Sequence, residues 1–293
     1  MDTARYRAFL TAVDSGSITK AAEVLNYSPS GVSQLINALE NELGLPLLTR
    51  SRLGVVPTPA GQSLLCTNRV LVQQEDSVLQ TASDLNGLMT GEVRIATYSS
   101  ISSHWLPRMI KAFHRNYPHV QIHLLEGIRK EVLQWLSESR ADIAFLSEVK
   151  GTSYDWIPLA EDPMIAVLPP THQMAGAAAY PLSMVEQEDF IMPAMGKDDD
   201  LAELFTCEGL RPNITYSTME SFAAISMIEN GLGMTITNRL ITENWQADVV
   251  KLPLDPPRSI TMGILLPDRH ALSPAARKFV QVARQMAKNI ETG

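Results

Sequence analysis

The sequence predicts a small all-α head with a helix-turn-helix, one long helix, and then a larger α/β unit built of two similar halves. Three observations carry this. A helical hairpin with an uncharged polar face fills Ser17 to Gly44. An apolar heptad repeat, free of glycine, runs from Leu64 to Leu85. From Val93 onward, strand-like and helix-like segments alternate.

Ala4 to Ser15 forms the first helix, with Tyr6, Phe9, Leu10 and Val13 on one side. Ser17 caps a short second helix whose inner face is Ile18, Ala21, Ala22 and Leu25. Asn26 and Tyr27 turn the chain. Ser28 stands at an N-cap position and Pro29 at the first helical position, where its missing N–H costs nothing. Val32, Leu35, Ile36, Leu39 and Leu43 make one apolar stripe, and Gly44 ends the helix. The opposite face carries Ser30, Ser33, Gln34, Asn37 and Asn41, with neither Lys nor Glu. Amides and hydroxyls suit base edges: an Asn or Gln amide pairs with adenine in two-pronged fashion, and Ser donates or accepts. An ordinary helical hairpin with a polar face has the same pattern. Leu47 to Val56 reads as a two-stranded ribbon turning near Leu53-Gly54, with Arg50 and Arg52 on one face. That is either a wing lying along a DNA backbone or a solvated edge strand.

Thr58 and Pro59 open a helix running to about Leu88. Leu64, Leu71, Val78 and Leu85 recur at sevens, flanked by Leu65, Val72 and Leu79. Such a seam calls for a second copy of itself, hence a dimer; the alternative partner is the chain's own C-terminal part.

Beyond a linker at Gly87–Glu92, one set of elements comprises strand Val93–Thr97, helix Ile101–Tyr117, strand Val120–Leu125, helix Lys130–Ser137 and strand Ile143–Leu146. Pro158–Leu168 crosses, extended, to a second set: strand Asp189–Met192, helix Leu201–Glu208, strand Asn213–Tyr216, helix Glu220–Glu229 and strand Met234–Thr237. Ile260–Leu266 returns, and Pro274–Ile290 closes as a helix.

Phe9, Leu10, Val13, Gly16-Ser17, Ala21-Ala22, Leu25, Val32-Ser33, Leu39-Glu40, Leu43-Gly44, Leu47, Arg50, Thr58 and Ala60-Gly61 resemble, in identity and spacing, the N-terminal domain of LysR-type transcriptional regulators. Leu48 departs from the usual Phe, and Pro29-Ser30-Gly31 from a Gln-containing triplet. The later alternation looks like the bilobal fold of periplasmic binding proteins, with weaker family echoes at Asp142-Ile143-Ala144, Gly231-Leu232-Gly233 and Leu272–Ala276. The implied architecture is an N-terminal all-α winged helix-turn-helix (1–58), a long linker helix and hinge (59–91), and a C-terminal α/β bilobal periplasmic-binding-protein-like (type 2) effector domain (92–293). Lobe I takes about 92–162 and 267–293, and lobe II about 163–266.

The resemblance implies sequence-specific regulation of transcription, modulated by a small effector between the lobes. Double-stranded DNA, as a pseudo-palindromic operator, would be read by Ser28, Ser30, Ser33, Gln34 and Asn37. Thr19, Arg50 and Arg52 would meet phosphate or the minor groove. A homodimer through the linker helix, a homotetramer as pairs of dimers, and RNA polymerase complete the implied partners. The second reading is a small-molecule binding protein whose head is a protein-contact module.

In such sheets ligands sit beyond the carboxyl ends of strands. Tyr98 to Ser103 places hydroxyls at one such end, suited to a carboxylate or phosphate, or to simple capping. The effector residues expected are Ser99, Ser100, Ile101, Leu146, Ser147, Met195, Thr218, Met219 and Thr237, with no cofactor and a carboxylate as the effector class. Asp198, Asp199 and Asp200 suit a helix start; facing the cleft instead, they would favour a cationic or neutral ligand.

Composition narrows the rest. The 293 residues are 45% hydrophobic and carry a net charge of −8. Within 1–58, five basic residues (Arg5, Arg7, Lys20, Arg50, Arg52) meet five acidic ones (Asp2, Asp14, Glu23, Glu40, Glu42), so the head is neutral. Phosphate affinity must then come from local placement, helix N-termini and several heads on one DNA. No apolar run reaches the ~18 residues of a membrane span, and a cytoplasmic place is expected. Cys66 and Cys207 stand alone, Cys207 reading as a small buried hydrophobe. His119 and His123 fall on a strand, where four residues span roughly 13 Å, too far for one metal. No nucleophile motif or phosphate-cradling loop appears, so no enzyme is expected.

Overall fold

A computed structural model describes residues 2–51, 54–86, 89–243, 245–267 and 272–290. The head is α1 (Thr3–Ser15), α2 (Ile18–Leu25), α3 (Pro29–Leu43) and an antiparallel ribbon of β1 (Leu48–Ser51) and β2 (Gly54–Pro57). Local chemistry sets each boundary. Ser17 Oγ accepts from Lys20 N–H at 3.3 Å, Ser28 Oγ accepts from Gly31 N–H at 3.1 Å, and Gly44 ends α3 at φ 68°. Phe9, Val32, Ile36, Leu39 and Leu47 are fully buried between the three helices and the ribbon.

The long helix α4 (Pro59–Leu85) has 27 residues, about 40 Å at 1.5 Å each. Thr58 caps it and also donates to Pro46 O at 2.7 Å, tying its start to the ribbon. A Cβ on Gly61 would lie 2.2 Å from Leu47 O, so only glycine allows this approach. The expected heptad seam divides. Leu64, Leu65, Leu71 and Val72 pack on the chain's own head, because α1 lies alongside the early turns. Val78, Leu79 and Leu85 stay exposed.

The sensor begins with β3 (Gly91–Thr97), α5 (Ser99–His104), α6 (Leu106–His114), β4 (Val120–Glu126), α7 (Arg129–Ser137) and β5 (Ile143–Ser147). The single helix expected over 101–117 is thus two. Pro107 lacks the N–H that would bond back to the preceding turn and its ring crowds that carbonyl. There follow β6 (Asp155–Leu168), β7 (Tyr180–Pro181), β8 (Asp189–Met192), α8 (Asp199–Glu208), β9 (Asn213–Ser217) and α9 (Ser221–Glu229). The chain ends with β10 (Thr235–Asn238), α10 (Arg239–Thr242), β11 (Val250–Asp255), β12 (Ser259–Leu266) and α11 (Pro274–Ile290).

One mixed sheet runs β4-β3-β5-β12-β6-β11-β7, with β10 also on β6. β6 links the lobes: Asp155 to Pro163 pairs with β12, and Met164 to Leu168 with β10 and β11. β12 corrects the expected lobe boundary. Placed in lobe II, it instead pairs antiparallel with β5 of lobe I through Met262–Leu265. Its Met262–Leu266 run is buried, as a strand between two others requires. β11 escaped notice because Pro253 interrupts it. Phe113, Phe145 and Phe279 anchor the core of lobe I, and Tyr180, Phe190 and Phe205 that of lobe II.

Candidate functional site

The head presents one polar face. Ser28, Ser30, Gln34 and Asn37 are exposed on α3, Ser33 is half-buried, and Thr19 is exposed near the start of α2. Ser28 Oγ accepts the cap bond and lies 3.0 Å from Ser30 Oγ, and its hydroxyl keeps a proton to donate. Arg50 Nη2 donates to Asn37 Oδ1 at 2.7 Å, joining the ribbon to the middle of α3. With its oxygen engaged, Asn37 offers its amide N–H groups outward. Gln34 makes no hydrogen bond among the described residues, leaving donor and acceptor together for a base edge. Arg52 lies outside the described residues.

Between the lobes lies a cleft of about 450 Å³. Its floor is a polar cluster. Arg129, the first residue of α7, reaches across to Asp200 and Glu203 of α8. Arg129 Nη2 also donates to Ser147 Oγ at 2.9 Å, and its Nε approaches Tyr98 OH at 3.4 Å. Ser147 gives its one proton to Asp200 Oδ2 at 2.9 Å, so Tyr98 is the donor in its 2.9 Å bond with Ser147. Burial pushes the Tyr98 phenol up, with Asp200 adding to it, so it stays neutral. Burial also pushes the Asp200 carboxyl up, to about 6, against the pull of Arg129. Asp198 caps α8 through Leu201 N–H at 3.1 Å and is raised by burial.

Six carboxylates line this cleft, Glu126, Glu131, Asp198, Asp199, Asp200 and Glu220, against the two cations Arg129 and Lys197. The three aspartates therefore face the cleft, and Asp198 caps as well. Among described residues no cluster of His, Cys, Asp and Glu has metal-holding geometry.

Of the effector residues expected from sequence, Ser99, Ser100 and Met219 line the cleft, and Ser147 sits in its floor. Ile101, Leu146 and Thr237 do not line it. Ile101 and Leu146 are packed in the lobe I core, and Thr237 is buried on β10. A strand end gives a residue's height, but the pleat sends alternate side chains away from the cleft. Met195 and Thr218 lie just beside it, Met195 exposed at φ 51° with its N–H donating to Thr218 O at 3.0 Å. Sequence reasoning missed Arg129, Glu126 and Asn238, and had Tyr98 only as the start of the hydroxyl-bearing stretch. The available signal was Arg129 as a cation opening a helix at a strand's carboxyl end, with Lys130 beside it. Cys207, expected buried, is exposed on α8, as is Cys66 on α4, and neither is in a disulfide.

A polar reading helix beside a basic ribbon, a long helix and a two-lobed sensor with a central cleft define a ligand-responsive DNA-binding regulator. Comparisons with known proteins give the family. A model described as "Bacterial regulatory helix-turn-helix protein, lysR family" matches residues 3–62, and one described as "LysR substrate binding domain" matches residues 86–288. The chain belongs to the LysR family of transcriptional regulators. HTH-type transcriptional regulator YvbU of Bacillus subtilis is 28% identical over 98% of this chain and 99% of its own length. Full-length OxyR C199D from Pseudomonas aeruginosa superposes with a TM-score of 0.78 at 16% identity, over 98% of this chain and 95% of that one, which establishes the fold. The Synechocystis PCC6803 CcmR regulatory domain in complex with 2-PG gives 0.64 at 17% identity, over 69% of this chain and all of that one.

Proposed function

We propose that this LysR-type regulator reads a pseudo-palindromic operator with Ser28, Ser30, Ser33, Gln34 and Asn37, while Thr19, Arg50 and Arg52 engage phosphate or the minor groove. The observation that carries the assignment is the Arg50–Asn37 hydrogen bond, which makes ribbon and helix one continuous surface. Two heads are held in register by pairing of the exposed Val78, Leu79 and Leu85 stripe, and pairs of such dimers form a tetramer. RNA polymerase is the partner through which bound tetramers act, in the cytoplasm, with no catalytic step. An effector entering the cleft competes with or tightens the Arg129–Asp200 bridge, changes the angle between lobes, and so resets head spacing and DNA bend. A carboxylate effector, suggested by the serines, fits poorly: the buried guanidinium is already held by Asp200 and Glu203. A gel shift against the chain's own upstream region, with and without salt, tests the reading; binding that ignores salt and sequence would sink it.

A further inference from the structure

We propose that the interlobe cleft takes an organic cation, an amine whose ammonium lies among the carboxylates and whose apolar arm rests on Phe222 and Trp245. This rests on reading the cleft as the effector site and adds the chemical class.

The acidic end is short of donors. Four of the five N–H groups of Arg129 go to Asp200, Glu203, Ser147 and Tyr98, so a two-pronged grip on an anion would have to displace one of the chain's own groups. Asp199 lies 4.0 Å from Arg129 Nε, and Lys197 is the one further cation lining the cleft for Glu126, Glu131, Asp198 and Glu220. Asn238, 8% exposed and lining the cleft, donates its amide nitrogen to Asp162, which also accepts from Leu240 N–H at 3.2 Å. This fixes the amide's orientation and leaves its carbonyl oxygen without a hydrogen bond among the described residues. Ser100, also 8% exposed, has a hydroxyl with no partner among the described residues. An acceptor and an adaptable hydroxyl among surplus carboxylates call for a ligand that donates hydrogen bonds and carries positive charge.

The apolar end is a second cavity of about 430 Å³. It shares Ser99, Ser100, Glu220, Ser221 and Ile241 with the first, so the two are one elongated site. Phe222 and Trp245 stack in it at 6.0 Å between centroids and 24° between planes, yet remain 50% and 41% exposed. Two aromatic faces beside Glu220 attract a cation through both ring quadrupole and charge, and the rings accept an apolar arm.

Three probes of one shape test this on the full-length protein by calorimetry at pH 7.5: 2-phenylethylamine, 2-phenylethanol and 3-phenylpropionate. The amine is expected to bind at least about tenfold more tightly than the alcohol, with the carboxylate weakest. Glu220→Gln and Trp245→Ala should each weaken the amine about tenfold, the first without changing the alcohol's affinity. A carboxylate that binds as tightly as the amine, and is lost in Arg129→Met, overturns the ligand class while the effector cleft stands. Amine binding indifferent to both variants overturns class and cleft together, and no binding by the amine overturns the class.

Discussion

Arg69 of the linker helix makes two parallel hydrogen bonds to Asp14 at the end of α1, Nη1 to Oδ2 at 2.8 Å and Nη2 to Oδ1 at 2.6 Å. Arg69 is 8% exposed and its Nε has no partner among the described residues, and Asp14 is its counter-charge. Arg7 adds bonds from α1 to the adjacent Glu75 at 2.9 Å and Asp76 at 2.7 Å, about two turns along. Any turn of the linker helix therefore turns the head with it. Asp14→Ala should cost about 2 kcal/mol, below the usual 3–5 for breaking a buried pair because Asp14 is half in water. Chemical denaturation checks this, and a cost under ~0.5 kcal/mol would show that apolar packing alone fixes the helix.

Gln34→Ala should lower discrimination at one base pair by roughly 1–3 kcal/mol and leave binding to random duplex unchanged. Arg50→Ala should do the reverse: weaken all duplexes alike and reduce the salt slope by about one. It also releases Asn37 Oδ1, so some relaxation of specificity at a second position is expected. Competition gel shifts with single-base operator variants separate the two effects. Uniform weakening by Gln34→Ala would remove it from the base-reading set.

How far the sequence could be read depended on the range of the interactions involved. The Ser28-Pro29 start and Gly44 stop of α3 act within one turn, and both boundaries were legible. The alternation of strands and helices was legible for the same reason. The cleft floor was not. Arg129 meets Asp200 and Glu203 more than seventy residues away, and nothing local marks the pairing. Leu146 and Ser147 were both expected at the cleft from their place at a strand end. The structure packs the first into the lobe I core and puts the second in the cleft floor, a difference the pleat decides. The heptad seam misled in part because Leu71 and Val72 satisfy the head's core as well as they would a coiled coil.

Val78 and Leu79 are 68% and 63% exposed on consecutive positions of α4, beyond the head's reach. If this stripe pairs two chains, Leu79→Lys places like charges together across the pair and should raise the dimer dissociation constant by about tenfold or more. The isolated chain's fold should be unaffected, since nothing of its core is removed. Sedimentation at two concentrations reads the change directly. Unaltered mass would move the pairing surface elsewhere.

The Arg129–Asp200 bridge carries its own pH dependence. Asp200 has its carboxyl pushed from an ordinary 3.8 up to about 6, chiefly by burial, while Arg129 pulls it down. A carboxyl raised on folding holds its proton more tightly in the native state. Its stabilising contribution is thus complete below 3.8 and is lost as pH rises through about 6. Over that window the contact between the lobes changes from a neutral hydrogen bond to an ion pair with a desolvated carboxylate. Asp200→Asn holds a neutral side chain at every pH while keeping an oxygen for Arg129. The wild type should therefore lose stability relative to this variant between pH 4 and pH 6.5, by about 2 kcal/mol at most. Subtracting the two denaturation profiles cancels every titration the substitution does not touch. A flat difference would mean that Asp200 keeps its ordinary value, and a difference rising with pH would mean that attraction to Arg129 outweighs burial.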